Sequence, residues 1–201
     1  MRANVIAIAI TGASGSLYGL RLVELLLKAG QHVELMVSKA GQLVIATETN
    51  LKLPSRPEEM AQALLSYYKI ESSLLTVYAK EDWMAPLASG SSVPAAMVIC
   101  PCSSGSLASI ANGLSQNLIE RAADVVIKEQ RKLIIVSRET PLSVIHLENM
   151  LKLARMGVMI LPATPGFYHR PSTVQGLVDF VVARILDQLN VEHQLLARWG
   201  E

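Results

Sequence analysis

The sequence predicts an α/β protein whose parallel sheet is covered by helices on both faces. Three observations carry that expectation. Short β-branched apolar runs alternate with longer segments of helical periodicity. The apolar runs are near-continuous rather than every second residue, as strands buried on both sides require. The first of them leads straight into a glycine-rich turn and then a helical pattern.

Residues 5–10 form the first predicted strand, followed by Thr11-Gly12-Ala13-Ser14-Gly15. Residues 17–28 place apolar side chains at helical spacing, and Gly30 supplies a stop. Residues 32–37 read as the second strand, and Ser38-Lys39 opens a helix to about residue 47. A proline-punctuated stretch with a short helix covers 51–65, an extra strand 74–79, and a loop rich in Gly, Ser and Pro 85–94. The next buried strand is 95–99, closed by Cys100-Pro101-Cys102-Ser103, with helices at 104–111 and 118–131. Residues 133–136 and 158–161 are further core strands, 144–156 the helix between them, and 172–189 a long final helix. With no repeat, low-complexity segment or linker, residues 1–201 read as a single domain.

Composition narrows the function. Apolar residues make up 51% of the chain against 17% charged, and the mean hydropathy is +0.35. No apolar run reaches the roughly 18–20 residues that cross a bilayer, so the surplus predicts buried helices and subunit contacts in a homo-oligomer. Without a basic start and a cleavable apolar segment, the expected location is the cytoplasm. A net charge of +1 and 4% aromatics argue against a nucleic-acid partner. Cys100 and Cys102 stand too close for an unstrained disulfide and have no histidine beside them, so no metal site is expected and both read as small buried residues.

Open parallel sheets bind ligands outside the carboxyl ends of their strands. Those positions hold residues 12–15, Ser38, 102–106, Arg138-Glu139 and 162–169: hydroxyls, glycines and one arginine. Thr11-Gly12-Ala13-Ser14-Gly15-Ser16 lets the backbone approach a phosphate, and the helix after it offers N–H groups and a positive dipole end. It matches neither G-x-G-x-x-G nor a Walker loop. No acidic residue stands at the end of the second strand to take a ribose hydroxyl, so a mononucleotide such as FMN fits better than NAD. Arg121, Asp124 and Lys128 share one helical stripe, which a solvated ion-paired face explains equally well. Arg138-Glu139 directly after a buried strand, and Glu48 opposing the dipole at a helix C-terminus, are less easily explained by folding alone. His146, His169 and His193 have no nucleophile at a useful spacing.

With these residues in view, the chain resembles the UbiX-type flavin prenyltransferases nearly end to end. The likeness rests on Thr11-Gly12-Ala13-Ser14-Gly15, Ser38-Lys39-Ala40, Glu48-Thr49, Ala88-Ser89-Gly90-Ser91 and Pro101-Cys102-Ser103. It continues in Asn117-Leu118-Ile119-Glu120-Arg121-Ala122-Ala123-Asp124-Val125, Lys128-Glu129, Arg138-Glu139-Thr140-Pro141 and Pro165-Gly166-Phe167-Tyr168-His169-Arg170-Pro171. Gln130 and Lys132 depart from the pattern, outside the catalytic set.

The resemblance implies a flavodoxin-like Rossmann fold, assembled as a homododecamer with its site at a subunit interface. It implies transfer of a dimethylallyl group from dimethylallyl monophosphate to N5 and C6 of reduced FMN, the product serving UbiD-type decarboxylases, in many bacteria for ubiquinone synthesis. FMN would be held by Gly12, Ala13, Ser14, Ser38, Ser103, Ser104, Gly105, Ser106 and Arg138. The dimethylallyl phosphate would be gripped by Lys128, Tyr168 and Arg184, with Arg121 and Glu139 close by. Among the catalytic residues, Ser14, Glu48, Lys128 and Glu139, the last would act as acid for the leaving group and Glu48 would move the proton lost by the flavin ring. The chain has no Asp-Asp pair for magnesium, so cations would stabilise the leaving phosphate. Trp83 or Trp199 would face the allylic cation. Two alternatives are a flavin-dependent decarboxylase of the same fold and a flavin carrier without chemistry. The first lacks its Pro-x-Met-Asn-x-x-Met segment here, and the second does not need a second cluster of charged groups.

Overall fold

The computed structural model describes residues 2–196. Its six strands are β1 (Arg2–Ile10), β2 (His32–Val37), β3 (Leu75–Tyr78), β4 (Pro94–Cys102), β5 (Lys132–Ser137) and β6 (Met159–Ile160). Every pairing is parallel, in the order β3-β2-β1-β4-β5-β6. Leaving out the edge strand β3, the remaining five follow the flavodoxin order, and the chain reverses direction across the sheet between β1 and β4. That switch point is where such a sheet opens a crevice.

Among the described residues seven α-helices cover the two faces. On one face α1 (Ser16–Lys28), α2 (Lys39–Glu48), α3 (Pro57–Tyr68) and α7 (Val174–Leu189) pack through Leu22, Leu26, Ile45, Leu64 and Val182. On the other, α4 (Ser104–Ala111), α5 (Leu118–Lys128) and α6 (Val144–Arg155) pack through Leu107, Leu118, Ala122 and Leu153. Both faces of the central strands are thereby covered, which is why β1 and β4 read as unbroken apolar runs. Helix α1 lies close to the sheet because Gly19 has no Cβ; one there would overlap the Cys100 carbonyl. Among the described residues no helix is long and apolar enough to cross a membrane.

Beyond shifts of a few residues at element ends, the elements differ from expectation at three places. Strand β4 runs on through Cys100-Pro101-Cys102 instead of ending at residue 99. The ladder to β5 slips between Ile99 and Cys102, so the proline falls at an irregularity where no N–H is needed. Helix α5 ends at Lys128 rather than 131, because Gln130 takes a left-handed φ of 52° that no glycine signals. The loop at 85–94 holds two short 3₁₀ turns, Pro86–Ala88 and Gly90–Ser92.

Candidate active site

At the switch point, Thr11 clasps the ends of β1 and β4. Its N–H and hydroxyl both donate to the Pro101 carbonyl (3.2 and 2.9 Å), and its hydroxyl oxygen accepts from Ser103 N–H at 2.8 Å. Thr11 is 2% exposed, so these bonds are made away from water. They fix the starts of the loops holding Gly12–Ser14 and Ser103–Ser106. Thr11 belongs to the glycine-rich motif, but its clasp depends on a strand ninety residues away and has no local signal.

Three helix N-termini converge there. Ser38 caps α2 by accepting from Gly41 N–H at 2.9 Å, and Ser103 caps α4 by accepting from Ser106 N–H at 3.3 Å. Helix geometry leaves the first-turn N–H groups of Lys39, Ala40, Ser104 and Gly105 aimed past those ends, ready for an anion. A Cβ on Gly105 would meet nothing within 4 Å, so the rim before α4 is open.

Helix α1 corrects the expectation of a vacant end. Its N-cap is Gly15 (φ 106°), which has no side chain to cap with. Glu48 reaches across from the last residue of α2 and supplies the acceptor. Gly15 N–H donates to Oε1 and Oε2 (2.9 and 3.1 Å), while Ser16 donates to Oε2 from its N–H (2.8 Å) and hydroxyl (2.7 Å). This removes the misfit seen in the sequence: the carboxylate opposes the dipole of its own helix but sits at the favourable end of another. Partial burial pushes the Glu48 carboxyl up, yet hydrogen bonds from Ser14, Ser16 and the Gly15 and Ser16 N–H groups outweigh it, and the net shift is downward. Glu48 is ionised and held one residue from Ser14.

Beside this lies the β5 end. Ser104 donates its hydroxyl to Glu139 Oε2 at 2.7 Å and Thr140 N–H donates to Oε1 at 3.2 Å, which together hold the Glu139 carboxyl below its usual range. Arg138 Nε donates to the Ser14 carbonyl at 3.1 Å, tying the β5 end to the β1 loop. The structure thus brings together Gly12, Ala13, Ser14, Ser38, Glu48, Ser103, Ser104, Gly105, Ser106, Arg138 and Glu139.

The remaining predicted residues lie elsewhere on the chain. Arg121 donates from Nε to the Ala88 carbonyl (3.0 Å) and pairs with Asp124 (2.8 Å), while Lys128, two turns on along the same helix, pairs with Glu129. Lys128 ends α5 just before β5, so it stands at the amino edge of the sheet, separated from Arg138 by roughly the 20 Å length of that strand. Tyr168 sits on the loop before α7, its ring edge-on to Phe180 at 6.2 Å, and His169 stacks on the same ring at 5.3 Å. Arg184, one turn beyond Phe180 on α7, pairs with Asp187 at 2.7 Å. Since α5 and α7 cover opposite faces, the sheet itself separates Arg121 and Lys128 from Tyr168 and Arg184 within one chain. Trp83 is half-exposed beside the loop that meets α5; Trp199 lies outside the described residues. Cys100 and Cys102 are buried free thiols pushed up by that burial, Cys102 to about 12, and no metal-binding cluster occurs among the described residues.

A doubly wound parallel sheet with capped helix ends, glycines and an arginine at its switch point defines a mononucleotide-binding α/β protein. The flavoprotein family model matches residues 1–186. The flavin prenyltransferase UbiX of Pseudomonas aeruginosa is 56% identical over 196 residues, covering 98% of this chain and 94% of that protein. The UbiX of Halalkalibacterium halodurans is 48% identical over 198 residues, covering 98% and 94%. Two crystal structures superpose on the whole fold. One is AnUbiX (PadA1) in complex with FMN and dimethylallyl pyrophosphate: TM-score 0.87, 34% identity, 100% and 99% of the two chains. The other is a dodecameric FMN-dependent UbiX-like decarboxylase from Escherichia coli O157:H7: TM-score 0.86, 38% identity, 98% and 100%. The chain belongs to the UbiX family of flavin prenyltransferases.

Proposed function

We propose that this chain prenylates reduced FMN at N5 and C6 with the dimethylallyl group of dimethylallyl monophosphate, for use by a UbiD-type decarboxylase. The observation that carries the reading is the division of anion-binding groups into two sets. The switch-point cradle suits one phosphate and a planar ring; the cations of α5 and α7 are surplus to it. A flavin carrier needs only the first set.

The cradle fits FMN chemically. Its open rim is lined with hydroxyls and N–H groups, and its two carboxylates, Glu48 and Glu139, already accept hydrogen bonds from the protein. Gly12, Ala13, Ser14, Ser38, Ser103, Ser104, Gly105, Ser106 and Arg138 would hold it. Reduced FMN supplies the nucleophilic ring positions. As the C–O bond of the donor breaks, its electron pair leaves on the phosphate, and Lys128, Tyr168, Arg184 and Arg121 stabilise that charge without a metal. Glu139, whose hydrogen bonds favour its charged form, gains proton affinity when a phosphate dianion binds beside it, so its role as acid belongs to the loaded enzyme. Glu48, already ionised and hydrogen-bonded to Ser16, takes up the proton lost when the second bond forms, with the Ser14 hydroxyl relaying it.

Because one chain splits the second set across its sheet, the set is completed between protomers of a homo-oligomer, a dodecamer as in the E. coli relative. Two buried free thiols suit the reducing cytoplasm. The test is mass spectrometry of flavin released after anaerobic incubation with reduced FMN and dimethylallyl monophosphate, without added metal. A gain of one five-carbon unit supports the reading; unmodified, tightly bound FMN overturns it in favour of a carrier.

A further inference from the structure

We propose that Arg2, Glu34 and Tyr78 form a positioning device for the Ala88–Ser92 loop, and through it for Arg121 and Lys128; this rests on the prenyl-transfer reading above. Glu34 is a buried carboxylate in the middle of β2, its side chain 8% exposed, on the face covered by α4 and α5. No step of the proposed reaction uses it. Arg2 pairs with its Oε1, and the Tyr78 hydroxyl donates to the same oxygen at 3.1 Å. Glu34 Oε2 is buried with no partner in the described chain, which is costly in a protein interior. An expensive group of this kind, kept where Leu or Val would pack, needs something to hold.

What it holds is the Arg2 guanidinium, and that guanidinium holds the loop. With one nitrogen on Glu34, Arg2 donates from Nε and Nη2 to the Ser92 carbonyl (2.9 and 2.5 Å). The planar fork makes both connections rigid, which a lysine cannot do. The other end of the loop is tied by Arg121, which donates to the Ala88 carbonyl at 3.0 Å. Between the ties the loop lies directly on the α5 cations. A Cβ on Gly90 would stand 2.8 Å from Lys128 Nζ and overlap the Glu129 carboxylate. The loop is therefore a clamp with two arginine anchors, one in the proposed phosphate set and one in the sheet. Releasing the Ser92 end lets the loop and the two cations beneath it drift, while the switch-point cradle, at the other edge of the sheet, is untouched.

Arg2→Met with Glu34→Met removes anchor and buried charge together, an exchange of ion pair for apolar volume that proteins tolerate in stability. The expected result, once the parent has been shown to add the prenyl unit, is a KM for dimethylallyl monophosphate raised about tenfold, kcat lowered as well, and the FMN Kd within about twofold. Hydrogen exchange should quicken in the peptide spanning 88–93 and not in 11–20. An unchanged KM, or an equal loss of FMN affinity and KM, overturns the positioning role while leaving the prenyl-transfer reading intact. A parent that never prenylates overturns both. If the double variant does not fold, Tyr78→Phe, which deletes one hydroxyl, should raise the same KM about threefold; no rise then overturns the proposal.

Discussion

Glu48→Ala separates the capping work of this residue from its chemistry. In the parent, the N-cap position of α1 is Gly15, and Glu48 makes four contacts of 2.7–3.1 Å with the Gly15 and Ser16 donors. Losing an N-cap acceptor costs about 1 kcal/mol, and losing the negative charge at a helix N-terminus about 0.3–1 kcal/mol more. A total near 2 kcal/mol lowers the Tm of a domain this size by about 4–8 °C. Glu48→Gln keeps one acceptor oxygen and should fall about half as far. The pH dependence has a definite sign. The folded carboxyl is depressed below its unfolded value of about 4.3. Its stabilisation is therefore full above that pH and is lost as pH falls through the folded value. Calorimetry of the FMN-free protein at pH 7 and in steps down to pH 3 reads this directly: the gap between parent and Glu48→Ala should narrow below about pH 4. A gap that stays constant to pH 3, or is absent at pH 7, refutes ionised Glu48 as the cap. Turnover answers a different question. Glu48→Gln should bind FMN and stall after the first bond, and parent-like turnover would assign the proton to another group.

Five further outcomes are expected. Lys128→Ala should lose turnover about a hundredfold while FMN stays bound, as removal of a charge-assisted phosphate contact predicts, and steady-state kinetics with flavin titration check it. Mixing Lys128→Ala with Glu48→Gln subunits before reassembly should restore part of the activity, because each oligomer then contains sites with both residues intact; no recovery argues for sites built within single chains. Thr11→Val should cost about 2–3 kcal/mol, since the Ser103 N–H loses its buried acceptor, and should weaken FMN binding as well; denaturant titration and flavin fluorescence read the two effects. Gly19→Ala should destabilise by about 2 kcal/mol or more by driving α1 off the Cys100 carbonyl, while Cys100 and Cys102 should resist alkylation until the chain unfolds.

The strands and helices were legible wherever the signal is local. Strand β2, at His32–Val37, and helix α4, at Ser104–Ala111, stand where the periodicity puts them, because both are bounded by capping residues or turns next to them in sequence. The end of α5 was not legible, since Gln130 adopts a left-handed conformation that its side chain does not advertise. In the site, Ser38 and Ser103 could be read because a serine between strand and helix is an N-cap signal. The role of Glu48 could be sensed only as a misfit, for the helix it caps begins thirty-two residues earlier. The clasp made by Thr11 and the ties of Arg2 and Glu34 were invisible for the same reason: each acts on a segment brought beside it by the sheet.

The placement of the two proposed anion sites follows from the fold's polarity. In a parallel sheet each crossover leaves from the carboxyl edge and returns to the amino edge, so backbone N–H groups gather at the first edge and the helix that feeds the next strand ends at the second; α2, whose Glu48 reaches the α1 N-terminus, is the short exception. A nucleotide phosphate is bound most economically by N–H groups, and the switch point supplies them. A second phosphate placed in the same cradle would meet the charge of the first. Cationic side chains, by contrast, are stabilised at helix C-termini, as Lys128 is at the end of α5, while Arg184 lies in the half of α7 nearer that edge. Those positions are the amino edge, out of reach of the chain's own cradle. In the proposed reading a leaving phosphate must lie next to the flavin yet be held by these cations, so the amino-edge cations of one subunit must be laid against the carboxyl-edge cradle of another. Oligomerisation is then a requirement of the chemistry and not an addition to it, and a monomeric variant that still folds and binds FMN should transfer no prenyl group.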